Sequence, residues 1–107
     1  MGKERSKRAI LEIQAEIITE DNRHAGTIEN LSDNGMYIVI APPKSEKVFF
    51  PGTEIEIRFR LPSEEKLALT CTIKWSYITP PHGYTFSLGL KIKDAPLTYQ
   101  EALNSLR

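Results

Sequence analysis

The residues with the densest capacity for chemistry are Asn30-Leu31-Ser32-Asp33-Asn34-Gly35, set between the short run Gly26–Glu29 and the apolar run Met36–Ala41. Amide, hydroxyl and carboxylate side chains this close together compete for backbone hydrogen bonds, and glycine admits positive φ, so the chain is expected to turn here. Asn34-Gly35 is also a strong short-range signal for a tight hairpin. The turn presents Asn30 and Ser32 beside backbone N–H groups that no strand has claimed, which makes a polar cradle. The second stretch is the basic leader Lys3-Glu4-Arg5-Ser6-Lys7-Arg8. Arginine offers a planar fork of donors that suits a phosphate or the acceptor edge of guanine, and an Asn side chain adds complementary polar contacts. Taken singly, these stretches are a solvated tail and an ordinary hairpin; together they point to one anionic ligand.

The other reactive residue types read more simply as structure. His24 stands at a polar strand start and His82 in a Pro-Gly loop, both as solvated surface histidines with no metal spacing between them. Cys71 lies in the apolar phase of a strand, without a basic neighbour to lower its pKa, and is a small core residue. Glu54, Glu56, Arg58 and Arg60 form the wet face of a strand, paired across the sheet. Trp75 shares the phase of Leu69 and Ile73 and is assigned to the core, with the rim of a pocket as the alternative. The only helix follows Ala95-Pro96, so there is no glycine-rich phosphate loop opening a helix. These assignments leave no constellation for catalysis, and a non-enzymatic protein is expected.

The elements that must position the cradle show in the periodicity. Leu11, Ile13, Ala15 and Ile17 alternate with Glu12, Gln14 and Glu16 in a strand that begins at Ile10. Glu20 to Arg23 turns the chain into a return strand, His24 to Glu29, and the Asn30 to Gly35 loop leads to a third strand, Met36 to Ala41, whose phase is ambiguous because Met36 to Ile40 are all apolar. Pro42 to Lys47 is a loop, and Phe50-Pro51-Gly52-Thr53 a turn. Glu54 to Leu61 alternates strictly, with Ile55, Ile57, Phe59 and Leu61 on one face. Lys66 to Tyr77 is the longest strand, with Leu67, Leu69, Cys71, Ile73, Trp75 and Tyr77 on one side. After the loop Thr79 to Gly83, Tyr84 to Lys93 returns with Phe86, Leu88, Leu90 and Ile92 in phase. Five or six antiparallel strands with short turns point to a small barrel or sandwich. Beyond Pro96, the residues Leu97, Tyr99, Ala102, Leu103 and Leu106 form the apolar stripe of one short helix, packed across a barrel mouth or against a partner.

The chain has 107 residues, which suits one domain, here 1–107 with a leader over 1–9, a barrel over 10–93 and a helix over 96–106. Lys plus Arg and Asp plus Glu each total 14, so there is no general electrostatic grip on nucleic acid or membrane, and any anion site is local. The single cysteine excludes an internal disulfide and a multi-cysteine zinc site. The charged start and the alternation after it do not read as a signal peptide, and no apolar run approaches the roughly 20 residues of a membrane span, so a cytoplasmic protein is expected. Single-strand nucleic-acid binding would need basic residues interleaved with exposed aromatics, and the aromatics here are phased inward.

These residues resemble the bacterial PilZ domain. Its hallmark is a pair of arginines at the N-terminal edge, followed by Asp or Asn, any residue, Ser, two residues and Gly. Asn30-Leu31-Ser32-Asp33-Asn34-Gly35 fits the second motif in full, and Gly52 before a strand, Ile73-Lys74-Trp75 and Ser87-Leu88-Gly89-Leu90-Lys91-Ile92 follow in the family's order. In the first motif the family has three residues between its arginines, whereas Ser6 and Lys7 alone separate Arg5 from Arg8, and Glu4 takes the place of the first arginine. The resemblance implies a six-stranded antiparallel β-barrel with a short C-terminal helix, binding cyclic di-GMP and needing no other cofactor. Arg8, Arg5 and, as a substitute, Lys7 would take guanine and phosphate, while Asn30, Ser32 and Gly35 contact the other side. It implies a sensor whose leader orders over the ligand and changes contacts with a downstream protein, without DNA, RNA or membrane insertion. The alternative is a PilZ-like adaptor that has lost its nucleotide and works by protein contact, through the C-terminal helix or the loop Lys44 to Phe50, where Val48-Phe49-Phe50 is a candidate adhesive patch, with tucking under the barrel as the simpler reading.

Overall fold

Stretches that alternate between apolar and polar residues become strands in the computed structural model, which describes residues 9–20, 22–40, 49–78 and 86–106. They are β1 (Ala9–Ile18), β2 (Arg23–Leu31), β3 (Gly35–Ile40), β4 (Glu54–Arg60), β5 (Lys66–Ile78) and β6 (Phe86–Ile92), followed by one helix, α1 (Leu97–Leu106). All neighbours pair antiparallel in the order β1-β2-β3-β6-β5-β4, and β1 also pairs with β4, which closes the barrel. Closure over Ala15–Ile18 and Glu56–Phe59 shortens the free sheet edge, the standing hazard of a small sheet.

Alternation puts one residue in two inside. Ile13, Ala15 and Ile17 of β1, Ile55, Ile57 and Phe59 of β4, Leu67, Leu69, Cys71 and Ile73 of β5, and Phe86, Leu88, Leu90 and Ile92 of β6 are all buried in one core. The ambiguous phase of β3 resolves with Met36, Ile38 and Ile40 inside, while Tyr37 and Val39 are half-buried on the outer surface. The Cys71 thiol is fully buried, and desolvation pushes its pKa up to about 12. On the outer face of β4 the ion pairs run mainly along the chain, Arg58 with Glu56 at 2.6 Å and Arg60 with Glu64 at 3.3 Å, rather than across the sheet as expected; Lys93 adds a pair with Glu54.

The register shifts in three places: in β1 between Ile10 and Ile13, and by one inserted residue each in β2 and β5, where the facing of site residues depends on it. In β2, Gly26, Ile28 and Leu31 are buried, a step of three at the end, because Glu29 bulges: Ile28 pairs with Ile38, yet Asn30 pairs with Tyr37. In β5, Ile73 pairs with Leu90 but Trp75 pairs with Gly89, leaving Lys74 as the extra residue. A bulge reverses the facing of everything beyond it. Trp75, assigned to the core by its phase, is therefore outside and 43% exposed.

α1 starts behind Pro96, whose carbonyl accepts from the N–H groups of Tyr99 and Gln100. Tyr99, Ala102 and Leu103 are buried in the barrel core and Leu106 packs against it, so the helix closes the end of the barrel that holds the β2–β3 turn. Leu97, included in the expected stripe, is 67% exposed. It sits two residues before Tyr99, about 200° around the helix and so off the buried face. Two further expectations change. His24 is half-buried rather than solvated, its ring edge-on to Phe49 at 5.2 Å. Phe49 is itself core at 1% exposure, whereas its neighbour Phe50 is exposed. His82, Val48 and the loop from Lys44 lie outside the described residues.

Candidate ligand groove on the barrel surface

Asn30 and Leu31, expected in the turn, belong to β2, and the turn itself is only Ser32 to Asn34. It is pinned from several sides. The Ser32 N–H donates to the Gly35 carbonyl at 2.9 Å, so that donor is already claimed, and the Ser32 hydroxyl donates to the same carbonyl at 3.3 Å. The Ile92 N–H donates to the Asn34 carbonyl at 2.9 Å, and the Tyr99 hydroxyl donates to the Ser32 carbonyl at 2.6 Å. Gly35 is favoured for a different reason from the one its sequence context implies. Among the described residues Gly52, Glu64 and Asp94 have positive φ, and Gly35 does not. A Cβ at Gly35 would instead lie 3.0 Å from the Leu90 carbonyl oxygen, so β3 and β6 would have to part by a few tenths of an ångström to admit one.

The two bulges bring one row of residues onto the outer surface. Asn30 pairs with Tyr37, Tyr37 with Gly89, and Gly89 with Trp75, a line across β2, β3, β6 and β5. Without the Glu29 bulge Asn30 would keep the inward phase of Gly26 and Ile28, and without the Lys74 bulge Trp75 would follow Ile73 into the core. The Trp75 indole lies flat on Gly89: a Cβ there would be 2.2 Å from indole Cε2 and 2.3 Å from Nε1. Tyr37 borders the indole with ring centroids 5.7 Å apart, and its hydroxyl donates to the buried Ser87 hydroxyl at 3.2 Å.

Asn30, Ser32 and Gly35 thus line a single open groove of about 560 Å³ together with Tyr37, Lys74, Trp75, Gly89 and the flanking Met36 and Leu90. One end is polar and built on the turn, and the other is aromatic. Lys74 is the cation among the described lining residues, and no carboxylate is among them. The arrangement is suited to a planar polar group laid on Trp75 with an anionic group beside it. Arg5, Lys7 and Arg8, the other half of the expected clamp, lie outside the described residues. What the structure does fix is where their strand begins: Ala9 pairs with Leu31, the residue before Ser32. Tyr37, Lys74 and Gly89 were not singled out from sequence as site residues, and Trp75 only through its alternative reading as the rim of a pocket. The available signal was Gly89, since a glycine inside a strand marks the close approach of something else.

By fold, the chain is similar to the inhibitor of motility MotI/DgrA of Bacillus subtilis, with 17% identity, a TM-score of 0.76, and coverage of 99% of this chain and 50% of that one. It is also similar to the PilZ domain of YcgR from Escherichia coli, solved with c-di-GMP, at 14% identity and a TM-score of 0.71, covering 98% of this chain and 92% of that one. The PilZ domain of CeSA, from a cellulose-synthesizing bacterium, aligns at 20% identity and a TM-score of 0.63 over 92% of each chain. This chain therefore spans about half of the Bacillus protein and nearly all of the isolated domains. No curated protein matches it by sequence. Among the described residues, no helix is long and apolar enough to cross a membrane. The family model of the PilZ domain matches residues 3–106, and with the closed barrel and its capping helix this makes the chain a member of the PilZ domain family.

Proposed function

We propose that this domain is a non-catalytic receptor for cyclic di-GMP. The observation that carries the reading is the outward row Asn30, Tyr37, Gly89, Trp75, which ends on the pinned turn beside the point where the basic leader joins β1. Family membership and the ligand-bound PilZ domain of YcgR support it. A guanine base lies on the Trp75 face, Asn30 and Ser32 meet its polar edge or the sugar, and Lys74 faces a phosphate. Covalently, Arg8 is one residue from Ala9, which pairs across from Leu31, so a leader that folds back at the turn can bring Arg8 and Arg5 to the same dianion, with Lys7 as a further cation. Ordering the leader over the ligand builds a new surface, and a downstream protein that reads this surface completes a switch without chemistry.

The test is isothermal titration with cyclic di-GMP of the native protein, Arg8→Ala and Asn30→Ala. Saturable heat is expected for the native protein, weakened at least about tenfold by Arg8→Ala and about fivefold by Asn30→Ala, the loss of a charged and of a neutral hydrogen bond. Absence of heat up to millimolar ligand, or an unaffected Arg8→Ala, overturns the reading. The short spacing of Arg5 and Arg8 favours one alternative, a domain that has given up the nucleotide and acts as a protein adaptor. Its contacts would run through exposed residues such as Phe50 and Leu97, since Phe49 and Leu103 are in the core.

A further inference from the structure

The polar turn is not held by its own strands alone. Its first carbonyl, Ser32, accepts the Tyr99 hydroxyl at 2.6 Å, a bond that spans 67 positions of sequence and joins the groove to the C-terminal helix. Tyr99 is 1% exposed, its ring being part of the core cluster with Ala102 and Leu103, so the hydroxyl is presented by a side chain with little freedom to move. Ser32 lines the groove, and its backbone is held at both ends, its carbonyl accepting from Tyr99 and its N–H donating to the Gly35 carbonyl that its hydroxyl also reaches. Next along, the Asn34 carbonyl is held by the Ile92 N–H, three residues before the segment that leads into the helix. The helix thus does more than plug the barrel end.

We infer that Tyr99 is a positioning residue for the ligand groove: its hydroxyl fixes the Ser32–Gly35 turn in the conformation that grips the ligand. Tyr99 does not line the groove and touches the ligand only through Ser32. The inference rests on the proposed cyclic di-GMP site. Removing the oxygen keeps the ring and its packing but leaves the Ser32 carbonyl to water or to no partner, and a turn that samples more conformations binds less tightly by the fraction of time it is competent. Coupling of this kind is reciprocal, so ligand on the turn also steadies the helix.

The test uses the full chain, Tyr99→Phe, with Leu103→Val as a variant that loosens the same helix without touching the hydroxyl. Amide hydrogen exchange without ligand, thermal unfolding, and titration with cyclic di-GMP are measured on all three proteins. The expected result is that Tyr99→Phe unfolds cooperatively, exchanges faster at Ser32 to Gly35 than elsewhere in the barrel, and binds cyclic di-GMP about fivefold more weakly, while Leu103→Val binds like the native protein well below its melting temperature. Equal affinity of Tyr99→Phe and a native protein that binds overturns this inference alone, as does faster exchange spread evenly over the barrel or an equal loss of affinity in Leu103→Val. A native protein that gives no heat overturns the ligand reading itself and the inference with it.

Discussion

Gly89→Ala places a methyl group where the indole of Trp75 now lies. The nearest indole atoms are 2.2, 2.3 and 2.6 Å from the added carbon, well inside contact distance, so one of the two must move. The backbone of β6 is bound on both sides, to β3 and to β5, whereas the indole is on the outer surface, and the side chain swings out. A buried tryptophan covers about 150–250 Å², and with 43% of Trp75 exposed the contact at stake is on the order of 100 Å², worth about 2.5 kcal/mol at ~25 cal/mol/Å². Alanine in a strand recovers about 0.5–1 kcal/mol over glycine, so the net loss is about 1–2 kcal/mol, or roughly 5–15 °C in melting temperature for a domain of this size.

Trp75 is the only tryptophan of the chain, so its fluorescence reports this site without ambiguity. A red shift of the emission with unchanged far-ultraviolet circular dichroism is expected, together with the loss of stability. The double-mutant cycle with Trp75→Ala isolates the cause: once the indole is gone, Ala at position 89 should be neutral or stabilising. If Gly89→Ala costs as much in that background as in the native protein, the strain lies in the backbone of β6, and the account of Gly89 as the bed of an aromatic platform is wrong.

Phe49 and Phe50 should part company: Phe49→Ala removes a core ring and is expected to cost about 3–5 kcal/mol in urea unfolding, while Phe50→Ala stays within about 0.5 kcal/mol of the native protein. Cys71 predicts an alkaline weakness. Its thiol ionises near 9.0 when unfolded and burial raises this to about 12 when folded, so the stability it contributes is present in full below pH 9 and is lost as pH rises from there towards 12. Chemical denaturation of the native protein should show an excess slope of up to about 1.4 kcal/mol per pH unit in that window relative to Cys71→Ala, and equal slopes would contradict a buried neutral thiol. For the same reason a thiol reagent at pH 8 should label Cys71 only as the protein unfolds.

A period-two pattern is legible for as long as the ladder is unbroken, which is why the inward faces of β4 and β6, and of β1 from Ile13 onwards, past its own register shift, follow from their residues one by one. It fails at Trp75, whose inward phase is correct as far as Ile73 and is reversed by one inserted lysine. Neither Glu29 nor Lys74 carries a mark that distinguishes a bulge from a strand residue, because a bulge is a property of the partner strand's count as much as of its own. The polar turn, by contrast, was visible in its composition, although its glycine serves the approach of Leu90 rather than a positive φ. The helix stripe was visible too, but not the hydroxyl of Tyr99 reaching Ser32, since a contact across 67 positions leaves no local trace.

The failures coincide with the groove for a physical reason. A small closed barrel has no free space inside, so a ligand face must be built outside, on the side of each strand that alternation assigns to water. An amide on the inward phase would be buried without a partner, and an indole there would have to displace several core residues; a one-residue insertion resolves both by turning the side chain out while leaving the core residues before and after it in place. Asn30 and Trp75 stand on the far side of such insertions, and the residues that complete the row, Tyr37 and Gly89, come from strands whose alternation is intact. Break in the period and placement of the site are then the same event, and the short strand segments around Glu29 and Lys74 are where substitutions that preserve the core should most readily change what the groove can bind.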